Sequence, residues 1–254
     1  MIHIDLKGKT ILVTGASNGM GKEVASFLMK MGARVAVHYG TNKTSADELV
    51  ALYKETGSKA FKADLSEEAE VYSLVENVIV SFGKLDVMLL NAGVFLPHSV
   101  KQNTEDWFSV WKKTMDINLN AVGLLTKLGI DHFIDNKEGR FIFIGSRAVF
   151  RGETEEYLAY AASKGGMVSL ARSVARSFGK QNIKSFIVSP GFTRTQMAEN
   201  FIKTHGEEKV LEEIALNELT QPKDLAPLIA LMCSGLMDHA TGATIDVNAG
   251  SHIR

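Results

Sequence analysis

The sequence predicts a single α/β domain, residues 1–254, built on a doubly wound parallel sheet with helices on both faces. Three observations support this prediction. The 254 residues, 45% of them hydrophobic, suffice for one large domain with a substantial core. Short apolar runs alternate with helical periodicity along the whole chain, and a glycine-rich turn joins the first run to the first helix. No linker or internal repeat divides the chain.

Seven strands are predicted from apolar or β-branched runs that end at charge, glycine or proline, at residues 9–14, 34–39, 59–64, 86–91, 140–146, 183–190 and 243–247. Segments with one apolar face predict helices at residues 22–31, 44–56, 66–82 with Ser66 as its cap, Thr104 to about 135 with Thr104 as its cap, and 154–179. Strands alternating with such helices form a Rossmann-like parallel sheet. Ligands bind such sheets beyond the carboxyl ends of the strands.

The glycine-rich turn runs Gly15-Ala-Ser-Asn-Gly19-Met-Gly21, between the first strand and the first helix. Glycines there permit a tight turn and let backbone N–H groups approach a diphosphate at the positive end of the helix. The position within a βαβ unit favours dinucleotide binding over a turn without a ligand. The expected contacts of this loop are Gly15, Ser17, Asn18, Gly19, Met20 and Gly21.

Tyr160 and Lys164 lie four residues apart in the sequence Tyr-Ala-Ala-Ser-Lys, and hence on one face of a predicted helix. A lysine ammonium near the phenol would favour the phenolate and lower the tyrosine pKa from its usual value of about 10. Such a tyrosine exchanges protons at neutral pH, as the interconversion of alcohol and carbonyl requires. Taken alone, the pair also occurs on ordinary solvated helices.

Composition excludes several classes of function. The formal net charge of −1 does not indicate nucleic acid or an anionic membrane as a partner. The single cysteine, Cys233, permits no internal disulfide and fits a reducing compartment, so we expect a cytoplasmic protein. No apolar run is long enough to cross a bilayer. The seven histidines lack metal-ligand spacing, so no metal is expected.

Several motifs, in order and spacing, resemble those of the short-chain dehydrogenases/reductases. They cover essentially the whole chain and are most similar to the 3-oxoacyl-carrier-protein reductase branch. The motifs are Thr14-Gly15-xxx-Gly19-x-Gly21, Asn91-Ala92-Gly93, Asn118, Ser146, Tyr160-xxx-Lys164 and Pro190-Gly191.

The resemblance implies a role for each matching residue. Tyr160 would be the catalytic acid/base, and Lys164 would lower its pKa and bind the nicotinamide ribose. Ser146 would hydrogen-bond the substrate oxygen, and Asn118 would hold a water in the proton relay. Further cofactor contacts are implied for Asp64 and Leu65 at the adenine, for Asn91, Ala92 and Gly93 along the central strand, for Pro190 and Gly191, and for Thr193 and Thr195 near the nicotinamide.

Two departures from the family pattern are visible. Fourteen residues separate Ser146 from Tyr160, so we expect the intervening loop to be reshaped. The chain closes on Asn248-Ala249-Gly250, where a double glycine is commoner in the family.

The end of the second strand governs cofactor choice, because a carboxylate there would repel a 2′-phosphate. This position is Tyr39, and Thr41, Asn42, Lys43 and Asn18 could donate hydrogen bonds to a phosphate. The sequence therefore favours NADP, with NAD as the alternative.

The expected activity is an NADP(H)-dependent oxidoreductase acting on a carbonyl or secondary alcohol, with a 3-oxoacyl thioester as one candidate substrate. The alternatives are an NAD-linked dehydrogenase of a sugar alcohol or hydroxysteroid, and a cofactor-binding sensor without turnover. A lid is expected at residues 192–219, with Met197, Phe201 and Ile202 on its apolar side. An acyl-carrier protein is a possible partner through Lys137, Arg172 and Arg176, and the family resemblance implies a homotetramer.

Overall fold

The computed structural model describes residues 4–195, 198–199, 202 and 206–253. Seven strands form one fully parallel sheet in the order β3-β2-β1-β4-β5-β6-β7. The strands are β1 (Thr10–Val13), β2 (Arg34–Tyr39), β3 (Lys59–Lys62), β4 (Val87–Leu90), β5 (Gly139–Ile144), β6 (Ile183–Pro190) and β7 (Thr244–Val247). The predicted fold class is confirmed. The strand order reverses between β1 and β4, which opens a crevice at their carboxyl ends.

The helices that flank the sheet are α1 (Gly19–Lys30), α2 (Lys43–Leu52), α3 (Glu68–Phe82), α4 (Thr104–Met115), α5 (Ala121–Asp135), α6 (Ala148–Arg151), α7 (Leu158–Phe178), α8 (Glu207–Leu211) and α9 (Pro222–Ser234). Side chains of α1 and α9 build one hydrophobic cluster, and side chains of α3, α5 and α7 build another. Neighbouring residues of β1 alternate between them, with Leu12 in the second cluster and Val13 in the first. The sheet is therefore covered on both faces.

Two predicted helix caps are wrong. Asn103, not Thr104, caps α4 by accepting a hydrogen bond from the Asp106 N–H at 2.9 Å. Ser66 does not cap α3, which begins two residues later; its N–H and hydroxyl both donate to Asp64 instead. Glu67, the residue directly before α3, makes no side-chain cap bond within the described residues either.

The helical stretch predicted from Thr104 to about residue 135 is confirmed, with one change in its hydrogen-bonding pattern. Between α4 and α5 the backbone forms a π-helical turn, Asp116–Asn120. Such turns insert an extra residue and are frequent at functional sites.

Among the helices that the structure describes, none is long and apolar enough to cross a membrane.

Candidate active site

The glycine-rich turn leaves β1 with Gly15 in the left-handed region, at φ 66°. Gly21 packs so closely on this turn that a Cβ there would lie 2.2 Å from the Gly15 carbonyl oxygen and 2.5 Å from Asn91 Nδ2. Only glycine fits this position without displacing the backbone. The start of α1 is therefore held directly against the carboxyl end of β1.

The first turn of α1 is open to an anion. Asn18 precedes the helix in an extended conformation and makes no side-chain cap within the described residues. Its Oδ1 accepts instead from Asn42 Nδ2 at 2.9 Å. No acidic residue occupies the first turn, so the leading N–H groups of Gly19, Met20 and Gly21 face outward from a positive helix end. This is the arrangement that binds a diphosphate. Ser17, buried in the same turn, completes the loop.

Asn91, just beyond β4, joins the two central strands. Its Nδ2 donates to the carbonyl oxygens of Thr14 at 2.8 Å and Gly15 at 3.3 Å. The N–H groups of Asn91 and Ala92 both donate to the Thr14 hydroxyl, at 2.9 and 3.0 Å. The next residue, Gly93, borders the catalytic region, because a Cβ there would lie 3.5 Å from Lys164 Nζ.

His38 is a buried residue at this edge that sequence reasoning missed. Its Nδ1 accepts the Gly15 N–H at 2.9 Å, so its proton is on Nε2, which donates to the Ala63 carbonyl at 3.0 Å. Burial lowers the pKa of His38, which keeps the ring neutral and fixes this tautomer. The imidazole thereby holds the glycine turn to β2 and the end of β3. Only tertiary contact reveals this role.

The end of β2 presents polar groups around the start of α2. Asn42 caps α2 by accepting from the Ser45 N–H at 3.2 Å, and Lys22 Nζ reaches the Ser45 hydroxyl at 2.7 Å. Lys43 forms an exposed ion pair with Asp47. A cation and several hydrogen-bond donors thus flank the loop next to the open end of α1.

Four predicted cofactor contacts lie around this loop in different environments. The Tyr39 ring is buried within the hydrophobic cluster of α1, and Thr41 is exposed at the mouth of the loop. Asp64 is exposed, and its hydrogen bonds from Ser66 hold its pKa below the usual value. Leu65 is buried beside it.

The predicted catalytic residues Ser146, Tyr160 and Lys164 come together at the carboxyl end of β5. The Ser146 side chain lies close enough to the Tyr160 phenol to lower its pKa through hydrogen bonding, and its Oγ accepts the Ala148 N–H at 3.1 Å. Lys164 is buried, one helical turn beyond Tyr160, with Nζ 5.9 Å from the centre of the phenol ring. Its ammonium donates to the Ile144 carbonyl at 2.7 Å.

The expected lowering of the Tyr160 pKa does not occur in the cofactor-free chain. Burial raises the pKa of Tyr160 to about 12, opposed by the hydrogen bond from Ser146 and assisted by the nearby charge of Glu153. Burial also lowers the pKa of Lys164 to about 8. The charge of Lys164 is not among the causes that shift the Tyr160 pKa, and Lys164, with a pKa of about 8, still carries most of its charge at neutral pH. Tyr160 is therefore a protonated phenol at neutral pH.

Asn118 lies fully buried in the π-helical turn. Its Oδ1 accepts the Val94 N–H at 2.8 Å, and its Nδ2 donates to the Val94 carbonyl at 2.9 Å and to Ser163 Oγ at 3.2 Å. A Cβ on Gly93 would meet Asn118 Oδ1 at 3.2 Å. The side chain thus fastens the segment after β4 to α7, beside Lys164.

An aromatic wall adjoins the phenol. Phe95 stacks on Tyr157 with ring centres 3.8 Å apart, and it contacts Tyr160 edge-on at 4.8 Å. Tyr157 lies half-buried in this wall. Phe95 has no counterpart among the residues predicted from sequence, because its position after the Asn91-Ala92-Gly93 motif carries no periodic signal.

The segment after β6 closes the crevice from the other side. β6 ends at Pro190, and Gly191 approaches Asn248 so closely that a Cβ would lie 2.7 Å from the Asn248 Cα. Thr195 lies opposite the glycine turn, with its methyl carbon 3.5 Å from a Cβ built on Gly19. The predicted nicotinamide contacts and the predicted diphosphate contacts therefore flank a single crevice.

The predicted lid at residues 192–219 is only partly described. Thr193, predicted to contact the nicotinamide, is buried, and its hydroxyl donates to the Gly191 carbonyl at 3.2 Å. Of the three residues expected on the apolar side, Ile202 is half-buried, whereas Met197 and Phe201 lie outside the described residues. The closing motion stays a prediction.

The loop between Ser146 and Tyr160 holds an ion-pair cluster. Arg147 is buried and donates to Glu213 at 3.0 Å, and Arg151 donates to the same carboxylate at 3.1 Å. Glu213 belongs to the segment 192–219 predicted as a lid, so these pairs join that segment to the loop after β5. Burial raises the pKa of Glu153 in the same loop. Among the described residues no group of His, Cys, Asp and Glu side chains could hold a metal ion.

Comparison with known proteins agrees with this geometry. Residues 15–252 match the family described as "Enoyl-(Acyl carrier protein) reductase", adh_short_C2. The chain is 32% identical to a 3-oxoacyl-[acyl-carrier-protein] reductase of Synechocystis, over 96% of this chain and 97% of that protein. It is 30% identical to glucose 1-dehydrogenase 2 of Bacillus subtilis, over 98% of this chain and 96% of that protein.

A short-chain dehydrogenase from Burkholderia cenocepacia, solved in complex with NADP, has the same fold with a TM-score of 0.87. It is 29% identical and covers 97% of this chain and 98% of its own. The chain therefore belongs to the short-chain dehydrogenase/reductase family and is an oxidoreductase of the type that interconverts CH–OH and C=O groups. The resemblance drawn from the sequence motifs is confirmed.

Proposed function

We propose that this protein is an NADP(H)-dependent carbonyl reductase. The observation that supports this most is the grouping of Ser146, Tyr160 and Lys164 at the end of β5, beside Gly93 and across from the open start of α1. Bound NADPH supplies a hydride to the substrate carbon. The side chains of the protein then have to orient the carbonyl and deliver a proton to its oxygen.

Tyr160 is suited to the proton-donating role. Its hydroxyl is protonated at neutral pH because burial raises its pKa to about 12. Ser146 Oγ already accepts from the Ala148 N–H, so its own hydrogen is free to point to the phenol oxygen or to a substrate oxygen. Donors aimed at a developing alkoxide stabilise it. The Tyr160 proton passes to that oxygen as the alcohol forms, and the phenolate is reprotonated from solvent.

The residues at the start of α2 support NADP over NAD. No carboxylate follows Tyr39 before Asp47, whose charge is paired with Lys43. Asn18 and Asn42 are hydrogen-bonded to each other across the mouth of the loop, and Lys22 donates a hydrogen bond to the Ser45 hydroxyl. A 2′-phosphate there would meet donors and cations. The ratio of kcat/KM for NADPH and NADH tests this assignment; a ratio below one would favour the NAD-linked alternative.

For the substrate, we propose a 3-oxoacyl thioester. The proposal draws on the 3-oxoacyl-[acyl-carrier-protein] reductases among the relatives and on the apolar wall of Phe95 and Tyr157 beside the reacting phenol. Reduction of an acetoacetyl thioester on a carrier protein, on coenzyme A and on a short thiol analogue tests it. Higher kcat/KM with the carrier protein would support a docking partner; turnover of none of the three thioesters would exclude this substrate class.

The basic residues first considered for carrier docking do not surround the crevice. Lys137 precedes β5, at the edge of the sheet opposite the catalytic residues. Arg172 and Arg176 lie further along α7, and Arg172 is twelve residues, or about 18 Å, beyond Tyr160. Our proposal for the substrate therefore does not rest on these three side chains.

A polyol substrate is the second candidate, because one relative is a glucose 1-dehydrogenase. Glu153 lies close enough to Tyr160 to raise its pKa by charge, and a carboxylate there could accept hydrogen bonds from substrate hydroxyls. Oxidation of glucose and of sugar alcohols with NADP and NAD separates this candidate from the thioester reductase. Tight NADPH binding with no turnover of the thioesters, glucose or the sugar alcohols would favour the alternative of a cofactor-binding sensor without turnover.

We also propose a homotetramer in the cytoplasm. The fully buried Cys233 is compatible with a reducing compartment. Apolar residues remain exposed on the long helices, among them Phe108 on α4 and Ile134 on α5, and are available for burial between copies. Sedimentation of the purified protein tests this assembly; a concentration-independent monomer would exclude it.

A further inference from the structure

His98 lies in the segment between β4 and α4 and is fully buried. The backbone N–H of His98 donates to the Glu156 carbonyl at 2.8 Å, and the ring Nε2 of His98 accepts the Ala159 N–H at 3.0 Å. An imidazole nitrogen that accepts a backbone N–H carries no proton, so the His98 proton is on Nδ1. One histidine therefore bonds to the backbone on both sides of the start of α7.

The start of α7 has no conventional cap. Tyr157 occupies the N-cap position and, within the described part of the chain, gives the helix no side-chain hydrogen bond. The first N–H groups of a helix need partners from outside it. His98 supplies one from a distant segment, at Ala159, which directly precedes Tyr160.

The same segment also contacts the phenol itself. Phe95, three residues before His98, stacks on Tyr157 and contacts Tyr160 edge-on at 4.8 Å. The His98 ring in turn packs against Trp107 of α4, with ring centres 4.9 Å apart. The backbone of Tyr160 is thus fixed through its neighbour, while its ring is fixed by Phe95.

We propose that His98 is a positioning residue for Tyr160, acting as the acceptor that caps α7 from the segment after β4. This inference rests on the proposed function, in which Tyr160 transfers the proton. A neutral acceptor suits the positive helix end, whereas an apolar side chain of similar size would fill the space and leave the Ala159 N–H without its bond. The phenol would then lose its fixed distance to Ser146.

The test compares His98→Leu with His98→Gln, whose side-chain oxygen can restore the acceptor. His132→Leu is the matched control, because His132 Nε2 also accepts a backbone N–H, from Leu85 at 3.0 Å, at the opposite edge of the sheet. Since misplacement by about 1 Å can cost about 100-fold in rate, we expect His98→Leu to lower kcat about 10- to 100-fold. We expect its NADPH dissociation constant to change by less than about threefold, because the diphosphate loop is untouched.

His98→Gln should recover most of the lost kcat, and His132→Leu should leave kcat within about twofold of the parent protein. Equal kcat in His98→Leu and the parent, or equal loss in His98→Leu and His98→Gln, would overturn the proposal. If His98→Leu does not fold, His98→Asn is the variant to measure, because the asparagine side chain stays polar but is too short to reach the Ala159 N–H. Unchanged kcat in His98→Asn would then overturn the proposal. Failure of Tyr160 as the proton donor would appear separately, as activity retained by Tyr160→Phe.

Discussion

The ionisation of Tyr160 provides a quantitative test of the electrostatics of this site. Burial raises the pKa of the phenol to about 12, about two units above its usual value, which corresponds to about 3 kcal/mol in favour of the protonated form. At pH 8 only about one molecule in ten thousand would then carry the phenolate. Lys164, with its pKa lowered to about 8, is largely neutral throughout the range in which Tyr160 titrates.

The assay is an ultraviolet titration of tyrosinate in the cofactor-free protein, taken as the difference between the parent and Tyr160→Phe. This difference removes the signal of the other four tyrosines. We expect no ionisation assigned to Tyr160 below about pH 10, and the same curve in Lys164→Met, because a neutral amine exerts no charge effect. A Tyr160 transition near pH 7 that moves upward in Lys164→Met would refute this reasoning and restore the charge effect expected from the sequence.

The sign of the stability effect follows from the same shift. The folded protein retains the Tyr160 proton above pH 10, where the unfolded chain releases it, so this contribution to stability is present below about pH 10 and is lost as the pH rises towards about 12. Lys164 acts in the opposite direction. Its folded pKa is lower than that of the unfolded chain, so its burial costs stability below about pH 8 and this cost disappears as the pH rises towards 10.5.

Three further predictions concern the neighbouring residues. Gly21→Ala places a Cβ 2.2 Å from the Gly15 carbonyl oxygen, so we expect the turn to shift and NADPH affinity, measured by fluorescence titration, to fall about 100-fold. Gly123→Ala is the control, because a Cβ there has no neighbour within 4 Å. Equal loss of affinity in the two variants would contradict the account. Thr41→Asp puts a carboxylate on the exposed mouth of the loop and should lower kcat/KM for NADPH about tenfold relative to NADH; equal losses would show that the 2′-phosphate lies elsewhere. Asn118→Ala leaves the Val94 N–H and carbonyl unpaired and should lower the free energy of unfolding by about 1–3 kcal/mol, measured by urea denaturation; an unchanged midpoint would mean that water replaces the amide.

The sheet was predictable because its central strands β1, β4, β5 and β6 are buried on both faces and so appear as short apolar runs. The strands predicted at residues 34–39 and 183–190 agree with β2 and β6 at both ends. The glycine turn was predictable because close packing at Gly21 excludes every other residue. These features depend on local sequence, where periodicity and steric size act directly.

Helix ends and electrostatics were harder to predict. Asn103 and Thr104 are adjacent and both can cap a helix, so the choice depends on backbone angles that the sequence does not encode locally. The pKa of Tyr160 depends on how deeply the folded chain buries the phenol, which a four-residue spacing to Lys164 cannot report. The bonds of His38 and His98 join segments distant in sequence, so neither histidine carried a recognisable motif.

The most direct test of the whole account is the kcat of Tyr160→Phe beside that of Tyr157→Phe, each with the NADPH dissociation constant measured in parallel. The two tyrosines share the aromatic wall with Phe95, but only the Tyr160 hydroxyl is bonded to Ser146. We predict that Tyr160→Phe loses about 10³-fold or more in kcat with NADPH affinity nearly unchanged, whereas Tyr157→Phe keeps most of its turnover. Substantial carbonyl reduction by Tyr160→Phe would contradict the assignment of the proton donor.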